Sequence, residues 1–430
     1  MTVASLIRRE FGQCKERFGS ERGRQVLILL SANILVLPIG VLTNILCVRY
    51  LGVVGYGNYS FINGIFTFAI VISNFGFFQA GNRALVVTED YSIRQEYYAA
   101  TFICLLLLFA AMSILLFLYG FLDPNLKQKR LSTFFLLTIP SGFAYLWAKY
   151  FESMLQADNR ITELAGVSLL PKLLFLLACL SLYLGTQEFS GGRLGLIWWA
   201  HIATQLLVFA WIFYRLRPSF HHLGKRLREI LHFNRTYGFH LYLGAVFALG
   251  MSSLGTVLIG YFGSDTSGVA FYSLAIMFST PLSIIPNTIA TTHYRQFSQL
   301  KKIPSKLTWL TLFISFLSLI ALWILLPPFI HFFYGAEFEE AVRLNRWTSA
   351  GMMLYGIADY FNRFLGAHGL GKAIRNGAFF TSLLLFIFNL LLIPKYQAFG
   401  AAWGVLAAGI GYSLIMLFYY TDYRKKRSIR

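Results

Sequence analysis

Ala148-Lys-Tyr-Phe-Glu-Ser-Met-Leu-Gln-Ala157 recurs at 358–367 as Ala-Asp-Tyr-Phe-Asn-Arg-Phe-Leu-Gly-Ala, an offset of 210 in a chain of 430 residues. Ala148/Ala358, Tyr150/Tyr360, Phe151/Phe361, Leu155/Leu365 and Ala157/Ala367 are identical columns. A second match supports the first: Tyr50-Leu-Gly52, Gly55 and Tyr59-Ser60 reappear as Tyr261-Phe-Gly263, Gly268 and Tyr272-Ser273 after a two-residue insertion. Two matches at nearly one offset indicate internal duplication, which decides the fold before any local reading does.

The setting of the duplication follows from the placement of charge. Hydrophobic residues make up 57% of the chain and charged residues 13%, far from the globular average. No Asp, Glu, Lys or Arg occurs in 26–48, 50–82, 97–122, 236–264, 266–294, 307–336 or 396–421. Each stretch exceeds the roughly 20 apolar residues that cross a bilayer core. Shorter apolar segments lie near 132–152, 163–184, 194–214, 347–367 and 376–393. The expected fold is an all-α polytopic membrane protein of about twelve transmembrane helices.

With both termini cytoplasmic, the inside segments hold 26 Lys and Arg and the outside loops 8, which satisfies the positive-inside rule. The net charge of +19 then faces anionic lipid heads of a cytoplasmic (inner) membrane, and nucleic acid is not needed to explain it. The first apolar stretch is too long for a signal peptide. The arm before it, with Phe11 and Phe18 among six cations, reads as a positive anchor or an interfacial helix. Cys14, Cys47, Cys104 and Cys179 show no metal or disulfide spacing. No phosphate-binding Gly-rich loop is present, and no cofactor or metal is expected.

The longest cytoplasmic connection, 215–236, falls between spans six and seven. The expected organisation is a basic arm (1–25), a six-helix lobe (26–214), a basic linker (215–236), a second six-helix lobe (237–421) and a basic tail (422–430). Six helices is an even number, so the two repeats enter from the same side and are parallel.

Within 365–416 stand Gly366-Ala-His-Gly-Leu-Gly-Lys372, Phe388-Asn-Leu-Leu-Leu-Ile-Pro394-Lys-Tyr and Phe399-Gly-Ala-Ala-Trp-Gly404. This resembles the polysaccharide-export branch of the MATE-like (multidrug/oligosaccharidyl-lipid/polysaccharide) exporter superfamily. Arg49-Tyr-Leu-Gly52 with Gly55-Tyr-Gly-Asn-Tyr59 is similar to that family's loop after its first helix, and Ser73-Asn-Phe-Gly76 with Arg83 to a motif ending its second. Family members often carry Asp where Asn74 stands. The resemblance implies two lobes around a central cavity, alternating access, and flipping of an undecaprenyl-pyrophosphate-linked oligosaccharide to the outer leaflet. O-antigen and capsule flippases are the nearest matches. With no soluble domain to hold a nucleotide, the energy source is an ion gradient, of H+ or Na+, or the substrate gradient itself, and polysaccharide polymerase machinery is a candidate partner.

Charges inside spans are the first site candidates, because they are expensive there. Lys172 lies about 14 Å from the cytoplasmic end of span five, near the midplane, just after the helix-loosening Pro171. It reads as a wall cation for pyrophosphate or an acidic sugar, or as a Lys paired across helices or snorkelling. Lys149 and Glu152, and Asp359 and Arg363, stand at spacings that allow an ion pair on one helix face; cavity lining and interfacial anchoring are both open for them. Arg49 and Arg83 end spans one and two, where they recruit phosphate or anchor the interface. Asn33, Asn44, Asn63, Asn74 and Gln79 offer a sugar donors and acceptors, or bond helix to helix. His201 and His240 are candidates for proton coupling or for packing.

The span cations Lys149, Lys172 and Arg363 outnumber Glu152 and Asp359. That balance favours a pyrophosphate-bearing cargo over the alternative, a cation-coupled multidrug exporter of the same superfamily. A glycosyltransferase or polymerase would need a longer catalytic loop than 330–346.

Overall fold

Hydrocarbon offers backbone N–H and C=O groups no partner, so a spanning chain must satisfy them within helices or closed barrels. A computed structural model of the chain describes residues 21–185, 192–246 and 250–428, and every regular element among them is helical. The anchoring expected of the N-terminal arm falls on residues outside those described as far as residue 20.

The elements are α1 (Glu21–Ser73), α2 (Phe77–Val86), α3 (Tyr91–Leu122), α4 (Pro124–Gln128), α5 (Ser132–Thr138) and α6 (Gly142–Ala157). Then come α7 (Ile161–Gly185), α8 (Arg193–Leu216), α9 (Leu223–Phe233), α10 (Phe239–Ala245) and α11 (Met251–Phe262). The chain continues with α12 (Ser267–Thr292), α13 (Tyr294–Gln299), α14 (Ser305–Phe333), α15 (Glu339–Ala367) and α16 (Gly371–Ser428).

Seven helices among the described residues are long and apolar enough to cross a membrane. Two of the seven are longer than one crossing. The apolar part of α1 is 40 residues and that of α16 is 56 residues, or about 60 and 84 Å against a core of about 30 Å. Both are broken where a crossing ends. In α1 the break is Gly52, whose φ of 70° suits a residue without Cβ. In α16 it is Gln397 (φ 49°), three residues after Pro394. Beyond Gln397 the helix folds back on itself: Gly411 packs on Leu384, Gly404 beside Phe388 and Asn389, and Gly400 against the backbone of Leu392. The segment near 132–152 is divided between α5 and α6, that near 236–264 between α10 and α11, and α15 is more polar; these are not among the seven.

The helices sort into two compact units. The first comprises Met1–Tyr50, Ser73–Asp123 and Ser132–Tyr242. Its α6 carries Trp147, Tyr150 and Phe151 into an aromatic cluster with Phe102, Phe209 and Phe213. The buried Tyr150 hydroxyl donates to the Tyr98 carbonyl at 3.0 Å. Polar clips tie α2 to α6: Ser153 Oγ donates to the Phe78 carbonyl and Asn82 to that of Ser153, each at 2.8 Å.

The second unit comprises Leu51–Ile72, Pro124–Leu131 and Leu243–Arg430. Small residues let its backbones touch. A Cβ on Gly351 would lie 2.9 Å from the Leu406 nitrogen, and one on Gly356 would lie 2.8 Å from the Ser283 carbonyl oxygen. Such close approach is how helices associate where no hydrophobic drive separates protein from lipid. Asn345 reinforces the α12–α15 contact, donating to the Ala275 carbonyl at 3.0 Å and to Ser279 at 2.9 Å.

The sequence repeat is a repeat of geometry. Tyr150 and Tyr360, Leu155 and Leu365 are buried in their respective units. Each copy ends in the same cap: Asn159 (φ 54°) and Gly369 (φ 71°) are left-handed, and the next amide reaches back to the carbonyl of Leu155 or Leu365. This is the 6→1 bond of a Schellman motif, present at both places 210 residues apart.

One contact escaped the spacing of the cysteines. The Sγ atoms of Cys47 on α1 and Cys179 on α7 are 3.5 Å apart and buried. A membrane-permeant thiol oxidant is expected to join them, and peptide mass spectrometry to find Cys47 linked to Cys179 with Cys104 unlinked. Failure to cross-link would contradict this register of α1 on α7.

Candidate functional site

Each unit contains a cavity built from the same columns of the repeat. In the first unit a cavity of about 300 Å³ is lined by α6, α7 and α8, including Tyr145, Ser168, Pro171, Lys172, Phe175 and His201. In the second a cavity of about 540 Å³ is lined by residues that include Tyr355, Ala378, Thr381, Ser382, Leu385 and Tyr412. The first five correspond pairwise at the offset of 210, and His201 and Tyr412 at 211. Duplication has therefore produced two cavities, and substitution has given them different chemistry.

The first cavity is cationic. Among the described residues Lys172 has neither a hydrogen bond nor an ion pair, whereas Lys149 is held by Glu152 at 2.7 Å. Glu152 lines the cavity as well, but its charge is committed to Lys149. His201 Nε2 and Gln205 Nε2 stand 2.7 Å apart, one turn from each other on α8. Phe175 packs over the His201 ring at 4.7 Å between centroids. The result is one uncommitted ammonium beside an imidazole, an amide and aromatic faces. An anion enters such a place more readily than a cation does.

The second cavity carries one carboxylate, Asp359. Tyr412 Oη donates to Asp359 Oδ1 at 2.9 Å and accepts from Asn362 Nδ2 at 2.8 Å. The ion pair that the spacing of Asp359 and Arg363 allows is not formed. Arg363 Nε donates instead to Asn287 Oδ1 at 3.1 Å, so Asp359 lines the cavity with Tyr412 as its hydrogen-bond donor.

The other candidates are scattered. Arg83 is exposed, with its guanidinium 6.0 Å from the Tyr237 ring centroid. Arg49 is exposed on α1 just before the Gly52 break. Asn74 sits at the turn between α1 and α2, its Oδ1 buried and without a hydrogen-bond partner. None of these three lines either cavity. The side chain of Asn33 lies outside the described residues. His240 is exposed on α10. Residues that sequence reasoning passed over are Gln205, Tyr412 and Asn389. Only Gln205 carries a local signal, standing one helical turn after His201.

A further cluster lies in the stretch 215–236, where the charge pattern suggests nothing beyond a basic linker. Arg226 of α9 is buried; its Nε donates to Glu96 at 2.6 Å and its Nη1 to Glu229 at 2.8 Å. Tyr97 Oη donates to Glu229 at 2.6 Å, and the Arg226 guanidinium lies 5.3 Å from the Tyr97 ring centroid. Burial works against the Arg226 charge, but Glu229 and Glu96 outweigh it and hold the guanidinium more firmly protonated than usual. Burial likewise raises Glu229, and hydrogen bonds from Tyr97 and Arg226 overcome it, so its carboxyl sits below the ordinary 4.5.

The sequence profile of the polysaccharide biosynthesis protein family matches residues 23–301. No curated protein matches the chain in sequence. Among solved structures, the lipid II flippase MurJ in an inward closed conformation is similar with a TM-score of 0.73 at 19% identity, over 94% of this chain and 90% of that one. A multidrug resistance MATE family transporter of the MOP superfamily, inward-facing, is similar at 0.67 and 13% identity, over 94% and 98%. An outward-facing structure of a transporter so described gives 0.57 at 12% identity, over 96% and 97%. At these identities the likeness is one of fold.

The Arg226 cluster yields a stability prediction. Arg226→Ala removes the partner of Glu96 Oε2 and leaves the buried carboxylate only His222 Nδ1, 2.9 Å from Oε1; it is expected to cost about 2 kcal/mol, read as a lower melting temperature in detergent. Because the folded Glu229 value is depressed, its contribution is complete above 4.5 and is lost as pH falls through the lower folded value. Glu229→Gln should remove that part of the acid dependence; an unchanged acid limb contradicts the assignment.

Proposed function

The chain belongs to the polysaccharide biosynthesis protein family, and from that premise we propose that it flips a lipid-linked oligosaccharide across the membrane. The cargo is an undecaprenyl-pyrophosphate-linked repeat unit of an O-antigen, capsule or similar polysaccharide, moved from the cytoplasmic to the outer leaflet by alternating access. In this reading twelve crossings form two parallel six-helix lobes in the inner membrane, with both termini cytoplasmic. A gradient of H+ or Na+ supplies the energy, and a polysaccharide polymerase receives the product.

The observation that carries the reading is Lys172, a cation without a partner among the described residues, on an apolar helix and on the wall of a cavity that His201 and Gln205 also line. Keeping an ammonium at such depth is costly, and a cargo that brings a pyrophosphate through low dielectric offsets the cost each time it passes. Lys149, Arg83 and Arg49 act in the same sense as secondary phosphate contacts, and Asn33 and Asn74 as hydroxyl partners. One observation favours a second reading, a cation-coupled multidrug exporter: Asp359 presents a carboxylate to the other cavity.

The test is a deletion strain complemented with variants, scored for lipid-linked oligosaccharide retained on the cytoplasmic leaflet. Loss of a charge-assisted contact of about 1.5 kcal/mol predicts a roughly tenfold fall in flipping for Lys172→Ala, with Lys172→Arg retaining most activity. Full complementation by Lys172→Ala would remove this residue from the mechanism.

A further inference from the structure

The cavity of the second unit is the wrong size and composition for the chemistry of its twin. It contains no cation, and its single carboxylate disfavours phosphate or uronic acid. Its volume of about 540 Å³ lies within the range of small-molecule sites, roughly 300–1,000 Å³, and is more than a bare metal ion needs. A metal ion also requires several oxygens or nitrogens converging on one point. Among the described residues no group of three or more His, Cys, Asp or Glu could hold one.

The polar groups are instead dispersed around the walls. Asn389 is 2% exposed, lines the cavity, and its Oδ1 has no hydrogen-bond partner. An amide oxygen left unpaired in a buried site is costly, and a ligand hydroxyl donating to it would remove that cost. Gly404 gives this amide its room, and Gly255 lies at ordinary contact distance beside it. A Cβ on Gly255 would stand 3.5 Å from Asn389 Nδ2 and from Tyr272 Oη, and one on Gly404 would stand 2.9 Å from Asn389 Oδ1. Across the cavity Asp359 is aimed by Tyr412, and the Tyr355 and Tyr412 rings, 5.8 Å apart, supply an aromatic wall.

An oriented carboxylate, a primary amide that both donates and accepts, and aromatic faces together suit a ligand that is dense in hydroxyls, uncharged and apolar on one face. We infer that the Asp359–Asn389–Tyr355 cavity is a binding site for a neutral hexose or N-acetylhexosamine. This rests on the flippase reading and divides the cargo's recognition by chemistry: the Lys172 cavity answers to its acidic part, the Asp359 cavity to an uncharged sugar.

The experiment is thermal unfolding of the purified full-length protein in an amine-oxide detergent, which has no sugar head group. Glucose, galactose, N-acetylglucosamine, glucuronate and NaCl are added singly at high millimolar concentration. At least one neutral sugar should raise the melting temperature by several degrees, glucuronate should fall short of it, and Asn389→Leu should abolish the increment. Sugars also stabilise proteins by exclusion from their surface, but that effect is the same in wild type and variant. Equal increments in the two, or a rise with NaCl alone, would overturn the inference. Should Asn389→Leu fail to fold, Tyr355→Leu serves in its place with the same two outcomes.

Restoration of surface polysaccharide by the wild-type chain in the deletion strain separates the two claims. If it complements without a sugar-specific shift, the cavity assignment fails and the flippase stands. If the shift appears without complementation, the reverse holds.

Discussion

A hydrocarbon layer supplies no hydrogen-bond partners, so every polar group placed in it must find one within the protein or carry a cost. The structure obeys this constraint along most of its length. Ser and Thr hydroxyls return to carbonyls one turn back, as Thr43, Thr67, Ser279 and Thr311 do. Asn345 and Ser153 tie neighbouring helices. Several buried polar atoms are exceptions, Asn74 Oδ1 among them, and of these Asn389 Oδ1 lines one of the two cavities, as Lys172, unpaired among the described residues, lines the other. The functional reading grows from these exceptions.

Duplication accounts for their placement. The two halves repeat residues of packing and capping, from the buried Tyr150 and Tyr360 to the left-handed Asn159 and Gly369. They also repeat a cavity, with Tyr145 and Tyr355, or Lys172 and Ser382, in equivalent wall positions. Where the columns differ, charge differs. Lys149 stands against Asp359, Glu152 against Asn362, and Ser153 against Arg363, so one scaffold holds a cationic and an acidic chamber.

Much of this was legible before any coordinates. Charge-free stretches mark the crossings, because a charge in hydrocarbon is excluded by energy alone. The same rule flagged Lys172 and Asp359, and the pairing of Lys149 with Glu152 follows from helical spacing. The pairing proposed for Asp359 and Arg363 did not form, since Asn287 and Tyr412 lie close enough to compete. Asn389 and Tyr412 were invisible as site residues: each is an ordinary polar residue in an apolar run, and only the fold-back of α16 at Gln397 brings both into one cavity. Arg226 was hidden for the opposite reason, being one cation among six in a stretch that reads as solvated.

The central claim is that lipid-linked oligosaccharide crosses the bilayer through this protein. The most direct measurement reconstitutes the purified chain into liposomes loaded with an undecaprenyl-pyrophosphate-linked oligosaccharide and follows its exposure to an external lectin over time. The account predicts that exposure rises faster than in protein-free liposomes and that Lys172→Ala slows it. Exposure at the protein-free rate, together with uptake of a fluorescent organic cation by the same liposomes, would contradict it.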